Sequence, residues 1–253
     1  MHTSSMPLHI VIPMAGYGAR FSTSGYEIPK PLLEVSPGVY MIDWVIRYLT
    51  VKEPHQFIFV CREDHVSSFD LHRFFAQRVK NFKIVTTKRV TRGPACTALL
   101  ARPYIQDRQE LLVAYCDDYL DIHIPSELKK WRSRRADGGA LIFPSSSPSL
   151  SYAMCNRSGE VLRTAEKKVI SRWATAGLYY FREGKIFVRC AQKMIKRKAL
   201  AKGEFFVCPV FNELIAAKKR VFATKIPTSA YHPMGTPKTL AKFIRSNLPF
   251  CPK

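Results

Sequence analysis

IVIPMAGYGARFSTSGYEIPKPLLEV, residues 10–35, decides the fold. It begins inside an apolar run, Leu8–Met14, that is short and stops at glycine, which marks a buried strand. Gly16-Tyr17-Gly18-Ala19-Arg20 follows at once. A dinucleotide-binding fingerprint would place a third glycine at position 21, where Phe21 stands. No G-x-x-x-x-G-K-[ST] run occurs either, so the chain is not a P-loop NTPase. Glycine lets backbone N–H groups come close to phosphate oxygens. Arg20 adds a fixed fork of donors, and Lys30 sits in a backbone stiffened by Pro29 and Pro31. A lone G-x-G reads as an ordinary turn. With two cations in the same loop it reads as a phosphate cradle.

Working outward, strands alternate with helices. The spacing predicts a helix over Met41–Thr50, a strand over Gln56–Cys61 and an amphipathic helix over Val66–Val79. A strand over Lys83–Thr87, a helix over Pro94–Ile105 and a strand over Glu110–Cys116 follow. This alternation implies an α/β fold: a Rossmann-like, mostly parallel mixed sheet with helices on both faces. Ligands of such sheets bind beyond the carboxyl ends of the strands. The glycine loop after Met14 and the acidic pair Asp117-Asp118 both lie at such ends.

The middle changes character. SSSPSLS, Ser145–Ser151, is a small polar loop and the best linker candidate, too short to demand two independent domains. Strand-like pieces follow at Tyr152–Cys155, Val161–Ala165 and Ala174–Phe181, to extend the sheet or to form a smaller β-rich acceptor-binding part. Helices are expected at Ile186–Lys198, Val207–Lys218 and Thr236–Arg245, with a strand at Arg220–Ile226. The chain is read as one domain, with 1–144 binding nucleotide and 145–253 carrying the acceptor side and closing helices.

Asp117 and Asp118 suit a hard cation, since Mg²⁺ takes one or two carboxylates and completes its shell with phosphates and water. Turn-forming aspartates at a strand end are the plainer alternative. Glu166-Lys167-Lys168 is a weaker signal, because exposed Glu-Lys runs are mostly solvated. His65 and His72 carry no signal, and the stripe Phe69, Phe74, Phe75 is expected in the core.

The 253 residues suit one large domain or two small ones. No apolar stretch approaches a membrane span, and residues 1–7 do not read as a secretory signal. Seven scattered cysteines, with no C-x-x-C pair, suit free thiols and a reducing cytoplasm. The formal net charge of +21 is lopsided. Residues 1–125 hold 14 Lys+Arg against 12 Asp+Glu, and residues 126–253 hold 26 against 7. The excess suggests an anionic partner or a solvated basic face. No nucleic-acid reader motif occurs, so a nucleic-acid partner is not expected.

Together these segments resemble the sugar-phosphate nucleotidyltransferase superfamily, over nearly the whole chain. Residues 10–35 are similar to its G-x-G-x-R…P-K-P-L signature loop. TRGPACTALLA (91–101) is similar to its base-recognition segment and LLVAYCDDYLDI (111–122) to the strand that delivers a metal-binding Asp. TAEKKVISRWATAGLYYF (164–181) looks like its E-K motif, and YHPMGTPKTLAKF (231–243) resembles its closing G-T-P segment. The nearest likeness is to short bacterial enzymes of capsule and cell-surface polysaccharide synthesis.

The resemblance implies an NMP transfer from an NTP to a phosphorylated small-molecule acceptor with release of pyrophosphate. CTP, dTTP and UTP are the leading nucleotides; a sugar 1-phosphate or a phosphocholine-type monoester is the acceptor. It implies that Ala15, Gly16 and Gly18 hold the NTP, and that Arg20 and Lys30 act on its phosphates. Gly93 and Thr97 would line the base pocket, Asp117 would bind Mg²⁺, and Glu166 and Lys167 would hold the acceptor. Three departures stand out. Pro233 occupies the place of a second metal-binding Asp, Lys168 a place where many relatives have Pro, and Asp118 a place where several have Gln. Such chemistry needs positioning and charge neutralisation more than a strong base. The competing readings are an inactive nucleotide-binding regulator of the same fold and, behind it, a nucleic-acid-binding protein. The oligomeric state stays open.

Overall fold

The computed structural model describes residues 7–251. It begins with β1 (Leu8–Pro13), α1 (Ala19–Ser22), the short hairpin β2 (Glu34–Ser36) and β3 (Val39–Tyr40), and α2 (Met41–Leu49). There follow β4 (His55–Arg62), α3 (Glu63–Ser68), α4 (Leu71–Ala76), β5 (Phe82–Thr87), α5 (Pro94–Leu99), α6 (Arg102–Ile105), β6 (Leu111–Ala114) and β7 (Asp118–Leu120). The second half adds α7 (Ile124–Ser133), β8 (Gly138–Pro144), β9 (Ser151–Cys155), β10 (Val161–Glu166) and β11 (Trp173–Phe181). It ends with α8 (Gly184–Lys196), α9 (Val210–Ala216), β12 (Val221–Lys225), β13 (Tyr231–Pro233) and α10 (Pro237–Arg245).

Nine strands form one sheet along the path β10-β9-β11-β6-β1-β4-β5, with β8 joined to β11 and β12 to β8. β6, β1, β4 and β5 run parallel, whereas β11 opposes β6 and β8. Every residue of β1 is buried, as a strand covered on both faces requires. Its alternate side chains feed two cores. Ile10 and Ile12 pack with Trp44, Trp131 and Phe243 of α2, α7 and α10. Val11 faces the other way, toward Ala98 of α5, Phe187 of α8 and Phe211 of α9. Both cores draw residues from both halves of the chain.

β1 and β6 pair in parallel, His9 beside Leu111 and Val11 beside Val113. The loops after Pro13 and Ala114 therefore leave from the same edge of the sheet, as the alternation implied.

Several expected elements differ. The helix expected over Val66–Val79 is two helices, broken at Asp70. That residue takes φ 42° and its carboxylate accepts the N–H of Arg73, capping α4. The same break leaves Phe69 exposed while Phe75 is fully buried, so the Phe69, Phe74, Phe75 stripe is not all core. Pro94–Ile105 is also two helices. Pro103 has no N–H to offer the Leu99 carbonyl four residues earlier. Pro209 delays the helix expected from Val207 until Val210. Of Ser145–Ser151, residues 145–150 connect β8 to β9, two strands of one sheet, and Ser151 opens β9. α7, β8 and the small β7–β13 pair have no counterpart among the elements expected from the sequence.

Candidate active site

The glycine loop turns the chain out of β1. Gly18 takes φ 62° at the start of α1, a conformation that side chains with a Cβ rarely adopt. A Cβ there would stand 3.6 Å from Cβ of Lys30. Ala15 is buried, while Gly16 faces open space. Arg20 is exposed on α1, with no ion-pair partner among the described residues. Lys30 opens a single 3₁₀ turn, Lys30–Leu32, between Pro29 and Pro31.

From the neighbouring edge, Asp117 meets this loop. Lys30 Nζ donates to Asp117 Oδ2 at 2.8 Å, and both side chains are largely buried. Burial pushes the Lys30 pKa down, but the charge and hydrogen bond of Asp117, with the Cys116 thiol, outweigh it and hold the pKa above the ordinary lysine value. Arg20 opposes that rise, so its charge reaches the same crevice. The closing segment completes the wall. Met234 N–H donates to the Asp117 carbonyl at 2.8 Å, and a Cβ on Gly235 would lie 2.5 Å from Asp117 Oδ2.

Asp118 belongs to a different environment. Tyr231 O–H donates to its Oδ1 at 3.0 Å. Its Oδ2 lies against Gly177, where a Cβ would come within 2.5 Å. Burial, then the charge of Asp117, holds the Asp118 carboxyl well above the usual carboxylate range. Gly177 takes φ 71° inside β11, where the register with β8 shifts. An isolated glycine in an apolar strand was the sequence signal of this close approach.

Two further groups meet the segment 204–207. Gly93 takes φ 117° and presses on the backbone of Phe205, whose N–H and carbonyl bond to Arg92 and Ala95. The Thr97 hydroxyl is buried and engaged with Thr91 Oγ1 at 2.6 Å, so it shapes the turn from within. On the other side, Ser151 Oγ donates to Glu166 Oε2. Burial pushes the Glu166 carboxyl up to about 7, against the lowering effects of Ser151 and Lys167. Lys167 takes φ 50°. Its ammonium lies 4.5 Å from the Phe206 ring centroid and 3.9 Å from Glu204. The buried Tyr115 phenol feels the charges of both Glu166 and Asp117, which ties this group to the side of Lys30 and Asp117.

The structure thus brings Gly18, Arg20, Lys30 and Asp117 together, sets Glu166 within electrostatic reach of Tyr115 and turns Lys167 toward Phe206 and Glu204. Tyr231, Gly235, Gly177, Ser151 and the strap Glu204–Val207 were not singled out by the sequence. Much of the basic excess lies elsewhere. Lys185, Arg189, Lys193 and Lys196 run along α8, which packs on α5, α6 and α9. Among the described residues no cluster of three His, Cys, Asp or Glu side chains is arranged to hold a metal. Among the described residues no helix is long and apolar enough to cross a membrane.

Compared with known proteins, residues 10–246 match the family model described as nucleotidyl transferase. Among solved structures, a nucleoside-diphosphate-sugar pyrophosphorylase from Vibrio cholerae RC9 is 25% identical, with a TM-score of 0.79 over 93% of this chain and 99% of that one. The inositol-1-phosphate CTP transferase from T. maritima is 15% identical, with a TM-score of 0.73 over 97% and 99%. A UDP-glucose pyrophosphorylase complexed with UDP-glucose is 17% identical, with a TM-score of 0.76 over 95% and 98%. The last two are likenesses of fold. No curated protein matches the chain.

Proposed function

The chain belongs to the nucleotidyl transferase family, and from that premise we propose that it transfers NMP from CTP, dTTP or UTP to a phosphorylated small acceptor. The acceptor is a sugar 1-phosphate or a small phosphomonoester such as phosphocholine. One observation carries the reading: Lys30 and Asp117 meet at 2.8 Å and so join the loops beyond β1 and β6 in one crevice. In the reaction, an oxygen of the acceptor phosphate bonds to the α-phosphorus of the NTP. The bond from that phosphorus to the bridging oxygen breaks, and pyrophosphate leaves with the electron pair. An ionised phosphate needs no strong base, so the protein's task is to align two anions and neutralise their charge.

Each residue has a part in this scheme. The backbone of Ala15, Gly16 and Gly18 cradles the phosphates. Arg20 neutralises the departing pyrophosphate, and Lys30 reaches the α-phosphate. Gly93 and Thr97 shape the base pocket, one through its backbone and the other by holding the turn. Glu166 accepts acceptor hydroxyls, and Lys167 binds its phosphate. Asp117 fits a Mg²⁺ site of one carboxylate, because glycine at 235 adds no side chain beside the Oδ2 that Lys30 holds. A bound Mg²⁺ would neutralise phosphate charge and fix its orientation. Residues 1–144 serve the nucleotide and 145–253 the acceptor within one domain. Cys61, Cys96, Cys116, Cys155, Cys190, Cys208 and Cys251 are all free thiols, which suits work in a reducing cytoplasm. Supply of an activated precursor for surface polysaccharide is the role that fits this chemistry.

The test is pyrophosphate release with Mg²⁺ across five NTPs and a panel of sugar 1-phosphates and small phosphomonoesters. One pair should stand well above the rest. Release that needs no acceptor, or no release with any pair, sinks the proposal.

A further inference from the structure

Among the described residues, no cluster of three His, Cys, Asp or Glu side chains surrounds Asp117. Its Oδ2 is held by Lys30 at 2.8 Å. Asp118, next in sequence, is turned away, one oxygen on Tyr231 and the other against Gly177. On the closing segment, Pro233 pairs with Asp118 across β13 and β7 and supplies no ligand atom from its side chain. The His232 ring stacks on Tyr119, with centroids 5.4 Å apart and planes 26° apart. A hard dication arriving alone would find one carboxylate already neutralised by an ammonium, with Arg20 adding positive charge nearby. Mg²⁺ dehydrates reluctantly and is ordinarily held by one or two carboxylates together with substrate phosphates. An unpaired, largely buried Asp117 would in turn be costly without Lys30.

Resting on the reading of Asp117 as the metal-facing residue, we infer that Lys30 guards Asp117 in the free enzyme and releases it only when an NTP arrives with its own divalent cation. Lys30 is then an exchangeable counter-ion. With nucleotide absent it satisfies Asp117. With nucleotide present, Asp117 turns to the nucleotide-bound cation and the Lys30 ammonium is freed for phosphate oxygens. One exchange couples metal capture to nucleotide capture. It also explains how a site with proline at 233 keeps a single carboxylate usable.

The test uses Mn²⁺ as the probe, followed by electron paramagnetic resonance on the full chain. Mn²⁺ alone should bind the free wild-type chain at least about tenfold more weakly than it binds in the presence of the α,β-methylene analogues of CTP or UTP. Lys30→Met should gain affinity for Mn²⁺ alone, and Asp117→Asn should lose the nucleotide-dependent signal. Tight binding of Mn²⁺ alone to the wild-type chain, abolished by Asp117→Asn, overturns the guard while leaving the metal reading intact. This arm needs no folded Lys30 variant. Enzyme-bound Mn²⁺ in neither state, with turnover indifferent to EDTA, removes the metal reading itself and the inference with it.

Discussion

Replacing Glu166 with glutamine should make the protein more stable and less effective at once. Burial raises the Glu166 carboxyl from its ordinary 4.5 to about 7. The folded state therefore binds a proton there more tightly than the unfolded chain does. A carboxyl raised in this way leaves stability untouched below about 4.5, erodes it between 4.5 and 7, and imposes a constant penalty above 7. At roughly 1.4 kcal/mol for each pH unit, the full penalty is about 3 kcal/mol, somewhat less because Glu166 retains some contact with solvent. Glutamine carries no charge to desolvate, and its carbonyl oxygen still accepts from Ser151. Urea unfolding of wild type and Glu166→Gln at pH 5, 6, 7 and 8 should give a difference that grows from somewhat under 1 kcal/mol at pH 5 to about 2–3 kcal/mol at pH 7 and then levels. In thermal melts at pH 8 the gain should be about 5 °C or more, since each kcal/mol is worth about 2–4 °C at this size. The acceptor KM should rise in the variant while the NTP KM holds. In the wild type the acceptor KM should climb as pH falls through about 7, where the carboxylate is lost. A difference in stability that is flat across this range would refute the burial argument. Unchanged acceptor KM would remove Glu166 from the site.

Four other substitutions probe the opposite wall. Arg20→Ala should cut turnover by about 10²–10³ with little change in acceptor KM; near-normal turnover in the folded variant would take Arg20 out of the mechanism. Asp117→Asn should nearly abolish Mg²⁺-dependent pyrophosphate release, while Asp118→Asn keeps most of it, because an amide still accepts from Tyr231. Circular dichroism controls for folding, and the reverse ranking would move the site by one residue. Gly235→Ala should lower kcat with little loss of stability, since the new methyl lands 2.5 Å from Asp117 Oδ2. A wild-type kcat there would mean that Asp117 does not need its observed position.

The central fold was legible because its signals are of the strongest kind. Leu8–Met14 and Gln56–Cys61 are predominantly apolar runs, the pattern expected of a strand buried on both faces. The helix boundaries were legible only in part. Asp70 adopts a left-handed conformation and caps a new helix, a local solution that apolar periodicity alone does not disclose. β8, GGALIFP, begins with two glycines that read as a loop. In the fold a Cβ at Gly139 would come within 2.6 Å of the Trp131 ring, so glycine there reflects helix–sheet packing.

The site was legible where residues neighbour one another in the chain and obscure where they meet across it. Gly18, Arg20 and Lys30 share one loop, and their chemistry could be read together. The division between Asp117 and Asp118 could be anticipated from one rule, that successive side chains of an extended segment point to opposite sides. The rule does not say which side faces Lys30 and the glycine loop. That is decided more than fifty residues away, by Gly177, and more than a hundred residues away, by Tyr231 and Gly235, through contacts that only the closed sheet brings about. Tyr231 and Gly177 take up the Asp118 carboxyl, while Gly235 leaves room beside Asp117. The two adjacent aspartates thereby acquire different chemistry from their surroundings: one is a buried acid that pins the closing strand, the other an ion-paired carboxylate facing Lys30. If that division is right, Tyr231→Phe should weaken the fold by about 1 kcal/mol, the usual worth of one lost hydrogen bond. It should reduce turnover only through a loosened Asp117. Raising Mg²⁺ should then restore part of the rate in Tyr231→Phe and none of it in Asp117→Asn. Equal recovery in both variants would show that the two carboxylates are not divided in this way.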